Sequence, residues 1–137
     1  MHSCSVVAAR LAFLLGVLLP LSAPAATVCP QVLSLGPNVP SFTLTRVGTG
    51  HGDPSNPQAY AALKPERIAI SAHEVRLLWR DLTLWPENTP EQHKPVFVTC
   101  HYDHGLKLTR HLTPTPQSCA YQLFLSPPRA SSDLRCD

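Results

Sequence analysis

The stretch PVFVTCHYDHGLKLTRHL, from Pro95 to Leu112, decides the fold. Polar and apolar residues alternate on either side of Asp103-His104-Gly105, three residues that suit a hairpin loop, with Gly105 free to take positive φ at the bulge. Folding there sets Tyr102 against Leu106, Cys100 against Leu108, Val98 against Arg110 and Val96 against Leu112. The opposite face then carries His101 across from Lys107, Thr99 across from Thr109 and Phe97 across from His111. One face is mostly apolar and takes Cys100 inward, which is the pattern of a half-buried antiparallel hairpin.

Working outward, fifteen prolines scattered through the chain rule out long helices almost everywhere. Ser41–Val47 alternates Phe42, Leu44 and, imperfectly, Arg46, and reads as a strand. Gly48–Pro65 is dense in Gly, Pro, Asn and Asp and reads as a long loop, with one helical turn at most over Gln58–Leu63. Arg67–Leu82 fits either period, but its proline-rich flanks and its Ile and Val residues favour two strands or one bent strand. Trp85–Pro95 is a second polar loop. Cys119, Tyr121, Leu123 and Leu125 then share a strand face, and a turn about Pro127-Pro128 brings Cys136 level with Cys119. The expected fold is therefore mainly β: a small antiparallel sheet domain stapled by two disulfides, with few or no long helices.

The first residues read as an address. Arg10 precedes an apolar run from Leu11 to Leu19, broken by Pro20, and Ala23 and Ala25 offer small residues before a cleavage point. This is the layout of a signal peptide over residues 1–26, followed by a single domain over 27–137. The apolar run falls well short of the ~20 residues that a membrane-spanning helix needs. Val28, directly before Cys29, is unsuited to lipoprotein processing, so no membrane attachment is expected after cleavage. Removal of the leader takes Cys4 and leaves Cys29, Cys100, Cys119 and Cys136, an even set at long, irregular spacings that suits disulfides rather than zinc. Cys119–Cys136 with Cys29–Cys100 is the pairing the last hairpin favours, although four cysteines allow three pairings.

Charge and motifs exclude several functions. Without Arg10, ten of the eleven Lys and Arg remain against nine Asp and Glu, with no run of one sign, so no nucleic-acid partner is expected. His101, His104 and His111 lie close in sequence, but across the hairpin His101 meets Lys107 and His104 sits at the tip, which disfavours a shared metal. His51 and Asp53 suggest a base with its orienting carboxylate, yet no serine or free cysteine sits on a sharp turn to serve as nucleophile. Glu66, Glu74, Asp81, Glu87 and Glu91 alternate with basic neighbours as a solvated face would. Gly48-x-Gly50-x-Gly52 is no nucleotide fingerprint. Trp79 belongs to the core, and Trp85, beside Pro86 at a loop edge, is the candidate partner-binding residue.

Cys29-Pro30 near the mature start, AALKP closing the first loop, LLWRDL, and then FVTCHY, LKLTRHL and two later cysteines resemble a family of small exported proteobacterial proteins known only by a locus tag. The resemblance spans most of the mature chain and is strongest from Val96 to Cys119. It implies export and a cysteine-stapled architecture, and it transfers no catalytic residue. The functional expectation is a non-enzymatic, cofactor-free binding protein of the bacterial periplasm or secreted fraction. Its partner would be an envelope protein, as for an inhibitor or immunity protein acting on an envelope hydrolase, with Gly48–Pro65 and Trp85–Pro95 as contact loops. The alternative is a periplasmic metal-binding protein using His101, His104 and His111, helped by His93 or His51.

Overall fold

The computed structural model describes residues 25–85, 87–90 and 94–137; the leader expected over 1–26 lies outside them apart from Ala25 and Ala26. Among the described residues the chain is mainly β, arranged as two antiparallel sheets with no long helix. The first sheet contains β1 (Ala26–Cys29), β5 (Glu66–Ala69), β6 (Glu74–Trp79), β9 (Cys119–Leu125), β10 (Pro128–Ala130) and β11 (Leu134–Cys136). Its strands run in the order β1-β11-β9-β6-β5, with β10 also on β9. The second contains β2 (Val32–Leu33), β3 (Phe42–Gly52), β4 (Tyr60–Leu63), β7 (Val96–Tyr102) and β8 (Lys107–His111). Here the order is β2-β3-β7-β8, and β4 pairs with the far end of β3.

The Pro95–Leu112 hairpin forms in the expected register, with Phe97, Val98, Thr99, Cys100 and His101 facing His111, Arg110, Thr109, Leu108 and Lys107. Gly105 takes φ 77° as expected, and His104 beside it also enters the left-handed region at φ 58°. The hairpin is not simply half-buried, however. β7 is flanked by β3 and β8, so Phe97 and Thr99, on the face away from Cys100, are buried as well. β8 is the exposed edge.

Two further expectations change. β3 runs through Gly48, Gly50 and Gly52, and Tyr60–Leu63 is a strand paired to it rather than a helical turn. The expected loop shrinks to Asp53–Ala59, because Gly48–Gly52 finds backbone partners in both β4 and β7. Arg67–Leu82 does hold the two strands expected of it, as a hairpin of β5 and β6 that buries Val75, Leu77 and Trp79 while leaving Ile68 and Ile70 exposed.

Leu44, Val96, Val98, Trp79, Tyr121 and Leu134, drawn from both sheets, belong to one shared core. Two buried polar groups are met at its margins: the Tyr102 hydroxyl donates to the Pro30 carbonyl at 2.9 Å, and Trp79 Nε1 donates to the Leu63 carbonyl at 3.3 Å. Cys29–Cys100 ties β1 of one sheet to β7 of the other across 71 residues, and Cys119–Cys136 links register-paired residues of β9 and β11 across 17. Loop-closure entropy makes the first worth about 4 kcal/mol and the second about 3. Replacing Cys29 and Cys100 by alanine should therefore lower the urea midpoint further than replacing Cys119 and Cys136, and the reverse order would contradict the entropic account.

Candidate functional site

A single irregularity in β3 shapes the outer face of the second sheet. Leu44 pairs with Tyr102, but the next pair is Arg46 with His101, so β3 carries one residue more than its partner at this point. A bulge of this kind turns every later side chain to the other face. Val47 consequently enters the core, and Arg46, Gly48 and Gly50 face outward beside His101, Thr99 and Phe97. The Thr45 hydroxyl secures the bulge by donating to the His101 carbonyl at 3.0 Å.

The outcome is an open trough of about 390 Å³ along β3. Arg46, His101 and Lys107 stand at one end, Thr99 and Thr109 share a hydroxyl hydrogen bond of 2.9 Å in the middle, and Tyr60 closes the other end edge-on to Phe97. Arg46 Nη2 lies 3.4 Å from both ring nitrogens of His101, a distance pattern that fits a guanidinium stacked over a neutral imidazole. Among the described residues neither Arg46 nor Lys107 has a carboxylate within ion-pair distance.

Gly48 and Gly50 set the depth of this trough differently. A Cβ on Gly50 would come within 2.6 Å of the Phe97 ring and 2.9 Å of the Ala61 carbonyl, whereas one on Gly48 would lie 3.9 Å from His101 Nε2. Gly50→Ala should cost about 1–3 kcal/mol of unfolding free energy through overpacking, and Gly48→Ala should cost nothing measurable by the same denaturant titration.

On the other face of β3, His51 and its partner Ala61 look toward a loop. The His51 ring meets the Trp85 ring edge-on at 4.5 Å, and together with Asn88, Thr89 and Pro90 they line a small cavity of about 320 Å³. The loop is held at both ends, by the Leu82 N–H on the Gln117 carbonyl at 3.0 Å and by the Gly52 N–H on the Pro95 carbonyl at 2.7 Å. Leu82 is buried, Trp85 is half-buried against the core, and Leu84 between them is 68% exposed.

The residues singled out from sequence are dispersed over these surfaces. His104 sits exposed at the hairpin tip, 6.3 Å from the Phe42 ring, while His111 Nε2 donates to the Gly52 carbonyl at 3.0 Å. His93 falls outside the described residues. Among the described residues no three His, Cys, Asp or Glu side chains converge as a metal site. Asp53 accepts the Ser55 N–H and hydroxyl at 2.9 and 2.7 Å, which holds its carboxyl below the usual range and turns it into its own loop. His51 faces Trp85 instead, so the two are not a base and its orienting acid. Glu66 pairs with Arg80 at 3.1 Å. The four described cysteines, Cys29, Cys100, Cys119 and Cys136, are all oxidised. Arg46 and Leu84 were not among the residues singled out for a site, although an arginine that spoils an alternation and a leucine within a proline-rich loop were the available signals.

No family model, curated protein or solved structure matches this chain.

Burial, then the charges of Arg46 and Lys107, depress the pKa of His101, and burial depresses that of His51. Because the folded values lie below the ordinary 6.5, the unfolded chain takes up protons first. Their contribution is full above 6.5 and declines as pH falls below it toward the depressed folded values. Thermal midpoints should thus fall between about pH 7.5 and about pH 5.5, with a shallower slope in His101→Gln; an unchanged slope would show that His101 does not contribute.

Proposed function

We propose that this chain is an exported binding protein of the bacterial periplasm, without catalytic activity, that holds an envelope protein in the manner of an inhibitor or immunity protein. Its two disulfides suit an oxidising compartment, in keeping with the leader-like N-terminus and with the resemblance to small exported proteins. Among the described residues no helix is long and apolar enough to cross a membrane. The observation that carries the reading is Leu84, raised into solvent between buried Leu82 and half-buried Trp85 on a loop clamped to the scaffold. An apolar side chain presented this way loses little conformational freedom on binding, so more of the free energy of burying it against a partner appears as affinity.

The test is affinity capture. The oxidised mature chain, immobilised and exposed to envelope extract, should retain one protein in stoichiometric amount. Reduction should release it, and Leu84→Asp should weaken retention by about 2 kcal/mol or more, close to thirty-fold. An empty column bearing the disulfide-intact chain, or retention indifferent to Leu84→Asp, would overturn the proposal.

A further inference from the structure

We propose that the outer trough of the second sheet is a binding site for a short acidic saccharide, its carboxylates held by Arg46 and Lys107 and its rings laid along β3. This site lies on the face of β3 opposite His51, and therefore opposite the Leu84 loop, so it stands or falls apart from the function proposed above.

Three observations converge on that ligand. The first is uncompensated positive charge. Arg46 and Lys107 flank His101 on three adjacent strands, and among the described residues no carboxylate neutralises either cation. An isolated cation on a sheet is commonplace, but here the bulge places Arg46 on the face where Lys107 already stands, which leaves two cations and a neutral imidazole beside one cleft. The planar guanidinium matches a carboxylate in shape, and Lys107 adds a second, more flexible donor.

The second observation is length. β3 lines the trough from Arg46 to Thr49, about 10 Å at ~3.3 Å per residue, and the trough continues past Ala62 to Tyr60 and Pro54, more room than a lone anion would occupy. Gly48 leaves open space beneath His101, since even an added Cβ would find its nearest neighbour at 3.9 Å. The third is the lining. Thr99 and Thr109 present hydroxyls at mid-trough, and Tyr60 stands at the end away from the cations. Hydroxyls with an aromatic ring suit a polyol, whereas a docked peptide strand would take its backbone bonds from a free sheet edge, which the middle of this face does not offer.

Binding is measured by calorimetry on the oxidised mature chain at low salt with tetragalacturonate as the probe. Maltotetraose, inorganic phosphate and a tetraglutamate peptide serve as comparisons. One-to-one binding of tetragalacturonate, at least about tenfold tighter than any comparison and weakened by added salt, is expected. Lys107→Glu and Arg46→Gln should each weaken it about tenfold or more. Gly48→Val, which fills the trough without altering charge, should abolish it, while Leu84→Asp should leave it unchanged. Far-UV spectra and thermal midpoints of each variant show that the fold persists, and two separate cation variants guard against one failing to fold. Equal binding of maltotetraose would remove the role of charge, and equal binding of phosphate would reduce the trough to a simple anion site. Equal binding of tetraglutamate would make the ligand an acidic peptide. Any of these, or tetragalacturonate binding untouched by Gly48→Val, overturns the proposal.

Discussion

The ladder between β3 and β7 is the constraint on which the rest of the molecule depends. β3 is the longest strand, and β7 is its neighbour over nearly all of that length. Because side chains alternate along a strand, the one-residue bulge between Leu44 and Arg46 decides which half of β3 faces in. With it, Leu44 and Val47 both reach the core. Without it, keeping Leu44 inward would carry Arg46 into the core and expel Val47, burying an unpaired guanidinium in place of a valine. The same irregularity that completes the core therefore puts a cation on the outer face. Packing and surface chemistry here have one cause.

Cys29–Cys100 acts on this arrangement from the other side. β7 belongs to the second sheet and β1 to the first, so the bridge joins two layers whose strands, among the described residues, are not paired with one another. Cys119–Cys136 joins strands that are already paired, and it closes a much shorter loop. The two bridges differ in kind as well as in magnitude: one fixes the spacing of layers, the other reinforces a ladder. Side-chain hydrogen bonds assist the first, since the Asp133 carboxylate accepts the Gln31 N–H at 2.6 Å and the Asp103 carboxylate accepts the Thr43 N–H at 3.0 Å. Both lie near the crossing from β1 into β3.

Local pattern made part of this fold legible in the sequence. The Val96–Leu112 register, the left-handed Gly105, the strand character of Arg67–Leu82 and the level placement of Cys119 with Cys136 all follow from period-two alternation and turn chemistry over fewer than about 20 residues. What escaped was long-range. Gly48, Gly50 and Gly52 read as loop because glycine is depleted in strands, and only the Phe97 ring lying over Gly50 explains their place in β3. Phe97 and Thr99 looked solvent-facing because nothing local announces that Tyr60 and the β3 backbone cover them. The histidines were visible as a group in sequence and are separate in space, each answering to a different neighbour: Arg46, Phe42 or the Gly52 carbonyl.

The two faces of β3 divide the labour implied by its sequence, TRVGTGHG. Residues pointing inward are large or branched, Val47, Thr49 and His51, and they contact the core or Trp85. Those pointing outward, after Arg46, are glycines, and two adjacent outward glycines are a poor choice for strand stability alone. Gly50 has a structural reason, the Phe97 ring. Gly48 has none, since a Cβ there meets only ordinary contacts and a larger residue would strengthen the strand. A position where the strand forgoes that gain, beside two cations that no carboxylate neutralises among the described residues, is where a cleft kept open for a ligand is expected.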